Sequence, residues 1–308
     1  MGYGGGGGGG GGSGGSGGSG GGSGYRRVGD DRTANLKVNN ITNRTGTSGT
    51  DVDGIVEAKG THFVVPSGRT GQRYVDGGEN IVRDGLVLHL DAKYSYDGLW
   101  YDMSGSGFDA EVDGPTYSFA DGGSLFFDGT NDFVAVPALS AKLVDRLTVS
   151  IWFKQTDVSA DSWLIGSNDA PNNNDLFEMF ADESYSTFSD TFTWRVTGST
   201  NADNRLAFAN NSQELDTWMN LTGTWIANKE LRGYKNGVED VSSPVAQSGN
   251  QGVLNENGGL IHIGVRNTGG SDQRWFDGNI AIVQIYNRAL TAAEVLQNYD
   301  ALKSRFGH

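Results

Sequence analysis

From residue 84 onward, apolar and polar positions alternate with a period of two. Leu147, Val149, Ile151 and Phe153 interleave with Thr148, Ser150, Trp152 and Lys154, the pattern of a strand with one face in a core. Phe192-Thr193-Trp194-Arg195-Val196 repeats it. Residues 218–225 and 231–234 read as successive strands. Asn236-Gly237 follows them, a two-residue hairpin turn in which both residues take positive φ. Leu260–Val265 and Ile280–Ile285 are the most apolar stretches. The second is apolar at both parities, which predicts a strand covered on both sides. Many short strands divided by turn residues predict an all-β, two-sheet sandwich.

Near the end the period changes. Thr291-Ala292-Ala293-Glu294 has the form of a capping box, in which the Thr hydroxyl accepts from the backbone N–H at Glu294 and the Glu reaches back. Val295, Tyr299, Leu302 and Phe306 then fall on one helical stripe, and Gly307 is a stop signal. This predicts a helix over 291–306 that packs on the sandwich.

Upstream of residue 84 the pattern weakens. Residues 25–83 carry short apolar runs such as Gly54-Ile55-Val56 and His62-Phe63-Val64-Val65 between clusters of Asn, Thr, Gly and Ser. They read as short strands and loops with little core of their own, an attachment segment that needs a partner surface or trimerisation for order; the alternative is a mostly flexible spacer. Residues 1–24 contain 18 of the 49 glycines. With almost no side chains to bury, this tail reads as a flexible tether, its reach growing as about 5–6 Å × √n. The expected organisation is therefore a tail (1–24), an attachment segment (25–83) and a sandwich (84–308).

Composition narrows the function. No cysteine is present, which excludes thiolate metal sites, disulfides and a cysteine nucleophile. No apolar run reaches the roughly 20 residues of a membrane-spanning helix, and no basic segment followed by an apolar run opens the chain, so no standard signal peptide is expected. The net charge of −14 resolves into +2 over residues 25–83 and −16 over residues 84–308. An acidic main domain argues against nucleic acid as a partner.

Gly85–Asp91 with Asp102–Gly107, Leu125-Phe126-Phe127-Asp128-Gly129-Thr130-Asn131-Asp132-Phe133-Val134, Leu147–Lys154, Trp218–Val238, and Phe276–Thr291 together resemble the laminin-G-like, concanavalin-A-like jelly-roll domains. They occur in the family's order and cover nearly all of 84–308. The resemblance implies a lectin-like sandwich that keeps Trp152 and Trp225 within it as structural residues. It also implies a calcium site near Asp128, Asn131 and Asp132, although Ile280-Ala281-Ile282-Val283 lacks the acidic residue the family often has there. Asp277 is a nearby substitute. The alternative is that Asp128 and Asn131 cap a turn through their own backbone. Lys37–Gly46 is similar to a segment near the N-terminus of structural proteins of marine tailed phages, which often place such a domain after it.

Enzyme activity is not expected. The related glucanases need two carboxylates on one E-x-D-x-x-E strand, and Glu178, Asp182 and Glu183 have the wrong spacing for one face. Sugar binding needs an aromatic face with amide and carboxylate groups beside it. The candidates are Trp163, Asn172, Asn174, Tyr185 and Trp194, with core packing the competing reading for each aromatic. The expectation is a virion surface protein, a fibre or decoration, holding a lectin-like domain toward host-cell glycans. It would contact other virion proteins through 25–83 as a homotrimer, with calcium as its cofactor and no membrane partner. The alternatives are a capsid decoration protein that binds no sugar and a carbohydrate-binding module of a bacterial cell surface.

Overall fold

The computed structural model describes residues 80–139, 143–157, 161–167, 177–182, 191–198, 203–209, 212–247, 252–254, 259–267 and 272–308. The tail and nearly all of the attachment segment lie outside these residues.

The strands are β1 (Leu86–Tyr96), β2 (Leu99–Asp102), β3 (Ala110–Asp113), β4 (Thr116–Ser118), β5 (Ser124–Asp128), β6 (Phe133–Val136), β7 (Arg146–Gln155), β8 (Ser162–Ser167), β9 (Phe177–Asp182) and β10 (Thr191–Thr197). They continue as β11 (Asp203–Ala207), β12 (Met219–Ile226), β13 (Glu230–Lys235), β14 (Val238–Glu239), β15 (Val245–Ala246), β16 (Ile261–Ile263), β17 (Arg266–Asn267), β18 (Asp272–Gln273) and β19 (Asp277–Tyr286). The described residues also form one α-helix, α1 (Ala292–Leu302), and 3-10 turns at Ala120–Gly122 and Lys303–Phe306.

Every named strand pairing is antiparallel. The back layer runs β1–β19–β7–β12–β13, with β5 sharing the start of β19. The front layer runs β6–β16–β8–β9–β10–β11. β2 and β3 join them at one edge. The two layers enclose one core, to which β7 gives Leu147, Val149, Ile151 and Phe153, β9 gives Phe177 and Met179, and β10 gives Phe192, Trp194 and Val196. This is the two-sheet sandwich the alternation predicts, because strict period two puts every second side chain on the inner face.

Two glycines set how closely the layers approach. Gly223 and Gly233 face each other across β12 and β13. A Cβ on Gly223 would lie 2.6–2.7 Å from the Cε2 and Cγ atoms of Trp194, and one on Gly233 would lie 2.8 Å from Leu206 and Phe208. Bare backbone on one sheet thus receives the largest side chains of the other.

β19 is covered on both sides, as its composition predicts, and a bulge sets which of its residues face each side. Ile280 faces Phe153 and Ile282 faces Trp152, so Ala281 is an extra residue on β19. Ile280, Val283 and Ile285 point into the main core. Ala281 and Ile282 point outward into a second cluster with Trp152, Trp218, Leu302 and Phe306. Trp152 is therefore structural, but outside the sandwich, under the C-terminal turn. Its ring stacks on Phe306 at 4.3 Å and on Tyr299 at 5.5 Å.

The capping box forms as predicted: the Thr291 hydroxyl accepts from the Glu294 N–H, and the Glu294 carboxylate accepts from the Thr291 N–H at 2.9 Å. The helix ends at Leu302 and the chain tightens to 3-10 before Gly307, whose φ of 81° closes it. Arg305 in this turn donates to both oxygens of buried Asp91 on β1 at 2.8 and 2.9 Å. On the other flank of α1, Val82 donates its N–H to Asn298 Oδ1 at 2.7 Å, and its carbonyl accepts from the Tyr286 hydroxyl at 3.0 Å.

Candidate functional site

The front layer has an outer face that the core does not use. The strand registers place one row of residues across it: Ala135, His262, Gly166, Glu178, Arg195 and Arg205, one from each of six neighbouring strands. Beside it runs a second row, Trp163, Phe180, Thr193 and Ala207. Both rows follow from parity. In Phe177-Glu178-Met179-Phe180 the first and third residues face inward, so Glu178 and Phe180 face outward.

Glu178 is the hub of this face. Its side chain is buried, the residue being 1 % exposed. Oε2 accepts from Arg195 Nη1 at 2.7 Å, and Oε1 accepts from Trp163 Nε1 at 3.3 Å and Arg266 Nε at 3.4 Å. The Arg195 bond is the strong one, short and between charged groups. It also offsets the repulsion that Arg195 and Arg205 would feel as cross-strand neighbours.

Trp163 is the aromatic centre. Phe180 stacks on it with centroids 4.1 Å apart and planes 2° from parallel. The guanidinium carbons of Arg266 and Arg274 lie 5.0 and 5.2 Å from the same ring centroid. Arg274 also meets Asp161 at 3.4 Å. Its backbone takes φ 63°, an uncommon conformation for a residue with a Cβ, held in place by the bond from the Trp163 N–H to the Arg274 carbonyl at 3.2 Å. The small β17–β18 hairpin leads into this residue.

The sequence candidates divide into three groups. Trp163 lies on this face, but it is only 3 % exposed and is layered with Phe180 and two guanidiniums, not laid open as a platform. Trp194 has to be corrected. It points into the core, is fully buried, and donates its indole N–H to the Thr224 carbonyl, so it presents no ring to a ligand. Parity decides this, since Trp194 alternates with outward Thr193 and Arg195. Asn172, Asn174 and Tyr185 lie outside the described residues.

The proposed metal ligands do not converge. Asp128 Oδ1 accepts from the backbone N–H groups of Thr130 and Asn131, and Asp132 Oδ2 accepts from the Asp128 N–H. Asp132 is turned inward against Gly114. Burial pushes its carboxyl above the usual range, with the charges of Asp128 and Asp113 adding to the effect. Asp277 does sit opposite Asp128 across β5 and β19, but its carboxylate accepts the Thr156 hydroxyl. The turn uses its carboxylates to fix its own backbone. Among the described residues no group of three His, Cys, Asp or Glu side chains could hold a metal ion.

Sequence reasoning did not nominate Arg195, Arg205, Arg266, Arg274 or His262, and it weighed Glu178 only as a catalytic acid. A usable signal was present: Glu178 and Arg195 are charged residues at outward positions in the middle of apolar strands. Carboxylate and guanidinium groups around an indole, with His262 further along the row, form a set of donors and acceptors beside an apolar surface.

Residues 128–296 match the family described as the concanavalin A-like lectin/glucanases superfamily. Solved structures share the fold. The binding domain of Paraclostridial Mosquitocidal Protein 1 is 16 % identical with a TM-score of 0.54, over 71 % of this chain and 52 % of that one. The ligand binding domain of botulinum neurotoxin serotype D, solved with N-acetylneuraminic acid, is 13 % identical with a TM-score of 0.54, over 71 % and 51 %. Trypanosoma rangeli sialidase, solved with the inhibitor DANA, is 16 % identical with a TM-score of 0.51, over 70 % and 32 %. The chain thus spans between about a third and a half of these proteins' lengths. No curated protein matches it.

Proposed function

The chain belongs to the concanavalin A-like lectin/glucanases superfamily, and from that membership we propose that its sandwich binds carbohydrate through the outer face of the front layer. The observation that carries this reading is the row of polar side chains built into that face. Buried Glu178 and the half-buried Arg195 and Arg266 form a charged cluster on the outer side of the front layer. Buried ion pairs contribute little net stability against apolar residues of similar size, so their presence beside Trp163 favours a recognition role. Gly166, between His262 and Glu178 in the row, lets Glu178 and Trp163 pack close over the backbone: a Cβ there would lie 3.4 Å from each.

The setting we propose is a virion surface, with the domain presented on a fibre or decoration protein toward host-cell glycans. The phage-like segment Lys37–Gly46, the Gly-rich tail and the acidic domain support this setting. The two bound ligands among the similar structures, N-acetylneuraminic acid and DANA, make sialylated glycans the first probes to use.

The test is a glycan array with the full chain, followed by titration of any hit against Arg205→Ala. Specific binding that weakens at least tenfold in the variant, with an unchanged melting temperature, supports the reading. No binding at millimolar ligand overturns it. The second reading, a decoration protein without sugar binding, is favoured by the low exposure of Trp163 and Glu178. Mass spectrometry of the particle with a cryo-EM map tests the virion setting for both.

A further inference from the structure

The outward side of α1 carries a groove of about 470 Å³ lined by Asn80, Ala293, Leu296, Gln297, Asp300 and Ala301. The inward stripe of the helix, Val295 and Leu302, is already packed on the sandwich. The groove is a second stripe, with small residues at both ends and Leu296 between them, 44 % exposed. A Leu at this exposure on a two-sided helix is a partly apolar surface.

Its position relative to the chain path points to an occupant. Asn80 is a wall of the groove and the first described residue of the domain. Gln297 Nε2 donates to its carbonyl at 3.0 Å. Two residues on, Val82 is fixed to Asn298 and Tyr286. The polypeptide therefore comes onto the domain at the groove, already held against α1. Immediately upstream stand Tyr74-Val75-Asp76-Gly77-Gly78-Glu79, and Tyr74 and Val75 are the apolar residues between Pro66 and Asn80. Six residues reach about 20 Å when extended, and the groove from Ala293 to Ala301 is about 12 Å long. Gly77-Gly78 gives the chain the freedom to turn back along the helix.

We propose that this groove is the seat of the chain's own upstream segment, with Tyr74 and Val75 covering Leu296, Ala293 and Ala301. The attachment segment would then meet the sandwich through a stiff neck and not a hinge. Hydrogen exchange on the full chain tests it, comparing wild type with Leu296→Asp and Tyr74→Ser. Position 296 is a surface site, so the fold is expected to survive, and unchanged exchange in β7 and β19 verifies that.

In the wild type, amides of residues 74–79 should exchange at least tenfold slower than an unstructured chain, and both variants should abolish that protection. Exchange at the unstructured rate in the wild type, or protection unaffected by Leu296→Asp, overturns the proposal. Protection that rises with protein concentration also overturns it, in favour of a second copy as the occupant.

Discussion

Replacing Glu178 by Gln tests the candidate face more directly than any other change. The substitution keeps the shape and one acceptor oxygen, so the Trp163 indole still has a partner. It removes the charge that pairs with Arg195 at 2.7 Å and Arg266 at 3.4 Å. Arg195 is mostly buried, and Glu178 nearly completely so. In water such a pair is worth ~1 kcal/mol or less. Removing one partner of a buried pair leaves an uncompensated charge and costs about 3–5 kcal/mol. The Arg266 bond is long and its loss adds little, so the expected destabilisation is about 3 kcal/mol. For a domain of this size that lowers the melting temperature by roughly 6–12 °C.

The measurement is urea unfolding of the full chain, with the denaturant slope unchanged. The double variant Glu178→Met with Arg195→Met removes both charges and should recover most of the loss, since a buried pair can often be exchanged for apolar residues at little net cost. A change under 0.5 kcal/mol for Glu178→Gln would show that the carboxylate is solvated and that the cluster does not exist as described. Recovery in the double variant together with lost glycan binding would separate the structural role from the recognition role.

Two further predictions concern packing and pH. Gly223→Ala puts a Cβ 2.6–2.7 Å from Trp194 ring carbons, and overpacking of this kind costs about 1–3 kcal/mol; adding Trp194→Leu should return part of it in a double-mutant cycle, and additive effects would refute the contact. Glu294 is held at about 2, below its usual 4.5, first by its bond to Arg288 and also by the Thr291 N–H and hydroxyl. Its folded pKa is depressed, so this contribution to stability is complete above about 4.5 and is lost as pH falls toward about 2. Unfolding curves of wild type and Glu294→Gln should therefore converge across that window; parallel curves would contradict the pairing.

The sequence makes the sandwich legible because its information is local. Alternation in Leu147–Lys154, the Asn236-Gly237 turn (φ 52° and 76°) and the Thr291–Glu294 box each fit within a few residues. Trp152 shows where that logic ends. Parity puts it opposite Ile151, but only the return of the chain 154 residues later supplies Phe306 to cover it. The candidate face is less legible still. Arg266 reaches Glu178 across 88 residues, and elsewhere, under the C-terminal turn, Arg305 reaches Asp91 across 214. Pairs so distant leave no periodic trace. Trp163 and Trp194 look equivalent as letters, yet the strand phase sends one outward and the other into the core.

The helix and C-terminal turn also give the module a direction. The point where the chain enters at Asn80 and the point where it ends at His308, whose ring meets the Trp218 carbonyl at 2.8 Å, both belong to the side where α1 and its turn cover the back layer. The face carrying Glu178 and Trp163 belongs to the opposite layer. A support joined at Asn80 or at His308 would meet the back-layer side and leave that face pointing away from it. Orientation is thus a property of the fold itself, and a sensor surface tethered through His308 would present the same side as one tethered through Asn80.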